Sequence, residues 1–274
     1  MSRVLKNRVA VITGGTSGIG RATAVALARE GVRVVLGARR VDRLAEVAEG
    51  IRKAGGDASA IQTDVTQADQ VARLVSAATS GFGSLDILIN NAGIGYFGPV
   101  ESTPVAEARH LFEVNLLGTL YGIQAAVPVM RRQGGGHIIN VSSVVGKRAT
   151  PGLGMYAATK FSQVALSESL RLEVARAGIR VSVICPVSTA TEFFSVAASR
   201  SPMKFSPSGP IYSAEQVATK IVRCIQHPRP EVIVYPPARL MVILNACAPR
   251  LLDRILGVYW KRMRPGAEEP HPVT

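Results

Sequence analysis

Long apolar runs, paired cysteines and acidic side chains are all scarce in this chain of 274 residues. No stretch approaches the ~18–20 apolar residues that a membrane-spanning helix needs, so a bilayer span is not expected. The opening MSRVLKNRVAVITGG runs straight into an apolar strand and a glycine turn. It lacks the apolar stretch and small-residue cleavage site of a secretory signal. The three cysteines, Cys185, Cys224 and Cys247, are widely spaced, odd in number and form no CxxC pair. They read as reduced core residues, and the expected location is cytoplasmic. His110, His137, His227 and His271 have no ligand spacing among them, so no metal is expected. The first two read as local packing or hydrogen-bonding residues, His227 as a helix C-terminus and His271 as part of a frayed tail. Helix-turn-helix, zinc-finger and aromatic stacking patterns are missing as well. That removes specific nucleic-acid recognition from the expected functions, although the net charge is +13.

What the chain does have is 47% hydrophobic residues and a βαβα rhythm. Near-continuous apolar runs at about 8–13, 32–37, 58–62, 86–90, 136–142, 179–185 and 231–235 read as parallel strands covered on both faces. Helical patterns fall between them, at 18–30, 41–54, 67–80, 104–131, 155–177 and 214–226. The expected fold is α/β: a single-domain, doubly wound (Rossmann) parallel sheet of about seven strands, with helices on both faces. Residues 1–236 form this domain and 237–274 a basic, helical C-terminal extension. A Pro/Ser-rich break at 199–213 reads as a mobile loop, within a 193–213 segment expected to bound the substrate.

After the first strand comes Thr13-Gly14-Gly15-Thr16-Ser17-Gly18-Ile19-Gly20, then a helix. Glycines here let a backbone approach a pyrophosphate, whose charge the helix N-terminus meets. A tight strand-to-helix connection would use the same residues. The second strand ends at Ala38-Arg39-Arg40, where a reader of NAD would place an acid on the ribose hydroxyls. Two arginines suit a 2′-phosphate instead, so NADP(H) is the expected cofactor. The alternative is that they are surface charges leading into the next helix. Asp42, the nearest acid, sits where a helix N-cap would.

Tyr156 and Lys160 share a helix face, and an ammonium beside a phenol lowers its pKa from about 10. Ser143 lies thirteen residues before Tyr156, and Asn115 lies on the long helix upstream. In this order, Thr13-Gly14-x3-Gly18-x-Gly20, Asn90-Asn91-Ala92-Gly93, Asn115, Ser143 and Tyr156-x3-Lys160 resemble the short-chain dehydrogenase/reductase superfamily. The likeness runs over about 6–192, plus 214–235. It implies hydride transfer between nicotinamide and a carbonyl or secondary alcohol. Tyr156 would move the proton, Ser143 would hold the reacting oxygen, and Lys160 would bind the ribose and tune Tyr156. Asn115 would keep a water in the proton path. Ser142 rivals Ser143, but the spacing to Tyr156 favours the latter. The resemblance also implies that Asp64 meets the adenine, with Val65 beside it. Asn91, Ala92 and Gly93 would line the cofactor or form a structural turn, and Pro186, Thr189 and Thr191 would flank its nicotinamide end. Val187 departs from the family's usual Pro-Gly, which puts the geometry on the substrate side in question. A non-catalytic dinucleotide sensor or scaffold on the same fold is the alternative. The apolar surroundings at 94–98 favour a lipophilic substrate, and the long helices favour a dimer or tetramer.

From Arg200 to Arg264 there are eleven Lys or Arg against three acids. Within that stretch, Leu240–Ala248 is almost wholly apolar. The following segment sets Leu251, Leu252, Ile255, Leu256, Val258 and Tyr259 against Arg250, Asp253, Arg254 and Lys261. Such a helix, closed by Trp260, lies on an anionic membrane surface, here through 238–264, or covers the protein's own core or a partner subunit. The first reading would put the protein peripherally at the inner face of a membrane.

Overall fold

The computed structural model of the protein describes residues 5–203 and 209–263. Lys204, Arg264, His271 and the rest of the tail lie outside the described residues, as do 205–208. The chain alternates β1 (Val9–Thr13), α1 (Gly18–Arg29), β2 (Arg33–Ala38), α2 (Val41–Lys53), β3 (Ala58–Gln62), α3 (Ala68–Phe82) and β4 (Ile87–Asn90). It continues through α4 (Val105–Phe112), α5 (Gly118–Arg132), β5 (Gly136–Val141), α6 (Gly154–Glu173) and β6 (Ile179–Cys185). A short β7 (Thr189–Ala190), α7 (Phe193–Ser199) and β8 (Tyr212–Ser213) precede α8 (Ala214–Gln226) and β9 (Glu231–Ile233). Two helices, α9 (Ala238–Cys247) and α10 (Pro249–Met263), close the described chain.

The seven-stranded sheet has the order β3-β2-β1-β4-β5-β6-β9, parallel throughout. This is the doubly wound α/β fold that the sequence predicts. Apolar residues of β1, β2 and β4 alternate between two cores. Ala10, Ile12 and Leu36 pack with Leu27 of α1, Leu44 of α2 and Ile221 of α8. Val9, Val11 and Leu88 pack with Leu74 of α3, Met130 of α5 and Leu170 of α6. The order reverses between β1 and β4, so the crevice beyond the carboxyl ends of these strands is where a ligand is admitted.

Three sequence expectations need correction. The helix expected over 104–131 is interrupted by a π-helical turn at Glu113–Leu117, which contains Asn115. Asp42 is not the cap of α2: Arg40 holds that position, and Asp42 falls in the first turn, where its charge suits the helix dipole. The 193–213 segment, read as loop, carries α7 at Phe193–Ser199, and its Tyr212–Ser213 pairs with Thr189–Ala190.

Leu88 is fully buried at the centre of the sheet. Leu88→Ala is expected to cost about 2–5 kcal/mol, read as a lower urea midpoint with an unchanged m-value.

Candidate active site

One cleft of about 780 Å³ runs over the carboxyl ends of the central strands. Its first end is built by the turn between β1 and α1. Gly14 adopts φ +71°, and a Cβ there would lie 2.9 Å from the Asn91 side chain. At Gly18 a Cβ would meet Thr191 at 2.8 Å. The turn is therefore a cradle that side chains would fill. Ser17 caps α1 in extended conformation, and its side chain accepts no hydrogen bond from the first-turn N–H groups, an arrangement that suits an anion.

Gly14, Thr16, Ser17, Gly18, Ile19, Arg39, Arg40, Asp64, Val65, Asn91, Ala92, Gly93, Ser143, Tyr156, Lys160, Pro186, Thr189 and Thr191 all line this cleft. Thr13, Gly20 and Asn115 lie behind that lining. Thr13 accepts the Asn91 and Ala92 N–H groups at 3.0 and 3.1 Å. Gly20 is pressed against the Gly14 carbonyl, which a Cβ would meet at 2.3 Å. Asn91 spends its amide on the Thr13 and Gly14 carbonyls, so its side chain is a tether between β4 and the turn.

The two arginines part company. Arg40 bonds Glu192 at 2.8 Å, Thr16 at 2.9 Å and Ser17 at 3.0 Å, and Arg43 also grips Glu192. These arginines hold the Glu192 carboxyl below the usual carboxylate range. Arg39 is exposed at the cleft and has no such partner among the described residues. Asp64 turns one oxygen inward to Thr66.

At the inner end, the first turn of α6 carries Tyr156, and Lys160 follows one turn later. Both are buried, with the Lys160 amine 5.6 Å from the Tyr156 ring centre. Ser143 leaves β5 in extended conformation and faces the phenol. Ser142 is committed elsewhere, donating to the Lys160 carbonyl at 2.9 Å. Burial pushes the Tyr156 hydroxyl well above 10, with the Ser143 hydrogen bond opposing. Burial also lowers Lys160 to about 7. The sequence reading expects a phenol depressed by a neighbouring ammonium; in the protein alone the Tyr156 shift runs the other way, because desolvation is the largest cause acting on each group.

Lys160 donates to the Val141 carbonyl and to Gln163 Oε1, both at 3.0 Å. Gln163 Nε2 in turn donates to the Asn115 carbonyl at 2.7 Å and to Thr119 at 2.8 Å. A direct link from Asn115 to Lys160 therefore runs through the Gln163 amide. The Asn115 side chain holds Ile94 by both its N–H and its carbonyl. Sequence reasoning missed Gln163, whose place three residues after Lys160 on the same helix was the available signal.

It also missed the aromatic wall. Phe193 stands 5.4 Å from the Tyr156 ring, and Phe194 packs edge-on to Phe193. Gly95 makes room for Phe193, which a Cβ would meet at 2.5 Å. Leu153, Val187, Tyr235 and Met241 complete this apolar end. Val187 is half-buried there, and its carbonyl accepts Thr189 Oγ1 at 2.9 Å.

A model of the short chain dehydrogenase family matches residues 8–201. An uncharacterized oxidoreductase of Staphylococcus saprophyticus is 43% identical over 191 residues, which is 69% of this chain and 76% of that protein. A glycine betaine reductase of Emericella nidulans is 41% identical over 82% of this chain, but the match spans only 18% of that relative's length. Among solved structures, a short chain dehydrogenase/reductase from Burkholderia phymatum in complex with NAD aligns with TM-score 0.83 at 28% identity, covering 98% of this chain and 99% of that one. An alcohol dehydrogenase from Thermococcus sibiricus complexed with 5-hydroxy-NADP aligns at 0.73 and 31% identity, over 82% of this chain and 95% of that one.

The Lys160 shift has a testable sign. Its amine titrates at about 7 in the folded protein against 10.5 as the ordinary value. Between those pH values the unfolded chain binds the extra proton, so stability rises with pH across that window and is lost as pH falls back through about 7. Urea titrations without cofactor are expected to show this rise in the wild type and its absence in Lys160→Met.

Proposed function

The chain belongs to the short-chain dehydrogenase/reductase family, and from that premise we propose an NADP(H)-dependent oxidoreductase acting on a lipophilic carbonyl compound or secondary alcohol. The observation that carries the reading is the burial of Tyr156 beside Ser143 and Lys160 at one end of a cleft whose other end is a glycine cradle flanked by Arg39. The donor set fits a dinucleotide. The N–H groups at the α1 N-terminus suit a pyrophosphate, and the end of β2 carries Arg39 in place of an acid.

When bound, the cofactor supplies or accepts the hydride at its nicotinamide ring. Tyr156 gives its hydroxyl proton to the carbonyl oxygen in reduction and takes one from the alcohol in oxidation. Ser143 donates a hydrogen bond to that same oxygen, countering the charge that develops on it. Lys160 has two N–H groups committed to Val141 and Gln163, and its third serves the ribose hydroxyls. Arg39 reads the 2′-phosphate, because Arg40 is already occupied by Glu192 and the turn hydroxyls. Asp64 and Val65, which line the cleft, would border the adenine, while Pro186, Thr189 and Thr191 would border the nicotinamide. The wall of Phe97, Leu153, Phe193, Phe194 and Met241 favours an apolar substrate.

In this reading residues 1–236 are the oxidoreductase domain and 237–274 an extension of it. Exposed Phe161 and Leu172 on α6 supply a face for a homo-oligomer. The free cysteines fit the cytoplasm, although Cys247 is exposed rather than in the core as the sequence predicts.

Fluorescence titration with NADPH and NADH is expected to show preference for NADPH, falling at least about tenfold in Arg39→Ala, as befits loss of a charge-assisted phosphate contact. Equal affinity for the two cofactors would remove the 2′-phosphate reading. With a medium-chain ketone, Tyr156→Phe should bind NADPH normally yet oxidise it about 100-fold or more slowly. Tight binding without turnover in the wild type, across a ketone series, would leave a dinucleotide sensor instead.

A further inference from the structure

The C-terminal helices are apolar on two sides, and the protein covers only one of them. On α9, Ala238, Met241, Val242 and Asn245 turn inward. Ala238 packs with Val164, Val183 and Ile233, with Val242 beside them, and Met241 lines the cleft. Asn245 accepts from Arg148 at 2.8 Å. On α10, Leu252 is 4% exposed, and Asp253 pairs with the same arginine. The sequence grouped all the apolar residues of α10 on one face. The structure splits them, burying Leu252 and leaving Leu251, Ile255 and Val258 in solvent. On the outer side of α9, Leu240 and Ile243 are 70% and 59% exposed. Covering the protein's own core therefore accounts for only part of this apolar content.

The charges beside the exposed stripes are of one sign. Arg239, Arg250 and Arg254 are exposed and have no acidic partner among the described residues. Asp253, the one acid in α9 and α10, is engaged by Arg148. A second copy on this face would bring a like set of arginines against these, which opposes association. An anionic lipid surface complements both features, taking the apolar side chains below the headgroups and the arginines among them. Among the described residues no helix is long and apolar enough to cross a membrane, so contact would be at the surface.

We infer that the outer faces of α9 and α10 dock on an anionic membrane surface, setting the Met241 wall of the cleft beside lipid. The partner is the lipid surface itself. The consequence for catalysis, that a lipophilic carbonyl compound reaches Tyr156 from the lipid phase, rests on the oxidoreductase reading. The docking does not.

Flotation of the full chain tests the docking directly. With vesicles of equal parts phosphatidylcholine and phosphatidylglycerol the protein is expected to float. With pure phosphatidylcholine it is expected to stay at the bottom of the gradient. Ile243→Asp with Ile255→Asp, or Arg250→Glu with Arg254→Glu, should each lower the bound fraction about tenfold. All four positions are exposed, and NADPH titration of each double variant checks that the cleft is intact. Failure to float with the anionic vesicles overturns the proposal, as does flotation that both variants retain. Sedimentation velocity adds the remaining outcome: a wild-type dimer that Ile243→Asp with Ile255→Asp dissociates, without flotation, makes this face a subunit interface and overturns it too.

Discussion

Burying an amine in a protein interior costs several kcal/mol unless its N–H groups find acceptors, and the interior behind the cleft is arranged around that demand from Lys160. The end of β5 offers the Val141 carbonyl, and α6 offers Gln163 one turn along from the lysine. Gln163 can present its oxygen to the amine because its nitrogen is held on the far side by Asn115 and Thr119. The π-helical turn at Glu113–Leu117 shifts the backbone ladder between α4 and α5. Within that turn the Asn115 carbonyl accepts two side-chain donors, Gln163 and Thr119. The same asparagine fixes Ile94 through its side chain and thereby sets the loop that enters the apolar end of the cleft. Loss of any member would leave a buried polar group without its partner.

The two ends of the cleft are joined by a smaller device. Glu192 opens α7, and its carboxylate is shared by Arg40 and Arg43 at the start of α2. Arg40 also bonds the turn hydroxyls of Thr16 and Ser17. Exposed ion pairs of this kind add little stability. Their effect is positional. The residue that begins the helix carrying Phe193 is tied to the turn that would receive a phosphate. Phe193 in turn leans on Tyr156.

Elements whose sequence signal is local were legible in advance. The strands fell within one or two residues of their expected bounds, because the central parallel strands are buried and apolar and bounded by Gly, Asn and Asp, although the edge strands β3 and β9 are only partly buried. The turn and the Tyr156–Lys160 pair were legible because their chemistry depends on short spacings. The interruption at Asn115 was not, since a π-turn keeps helical composition and leaves the apolar periodicity nearly intact. Nor was α7, whose Phe193-Phe194 pair follows Thr191 in a segment read as loop. The division of labour between Arg39 and Arg40 depends on Glu192, more than 140 residues away along the chain, and no local pattern carries that. In α10 the helix itself was legible but not its burial, because an apolar stripe records what avoids water and not what covers it.

The directions of the two buried titrations bear on the proposed chemistry together. Desolvation keeps the Tyr156 proton on the phenol and weakens the hold of Lys160 on its own. In the protein alone, the pair is thus set toward a neutral acid beside an amine about half protonated at pH 7, which suits donation of a proton to a carbonyl oxygen. Phosphates bound at the glycine cradle and Arg39 would add negative charge to the same cleft, and negative charge favours the ammonium form of Lys160. An ammonium so restored would ease the phenol toward its anion, the form needed to accept a proton from an alcohol. Linkage makes the effect reciprocal: whatever the bound phosphates do to the charge of Lys160, that charge does to their affinity. On this reading the lysine is placed to couple cofactor occupancy to proton transfer, and its burial, costly as it is, is what makes the coupling strong.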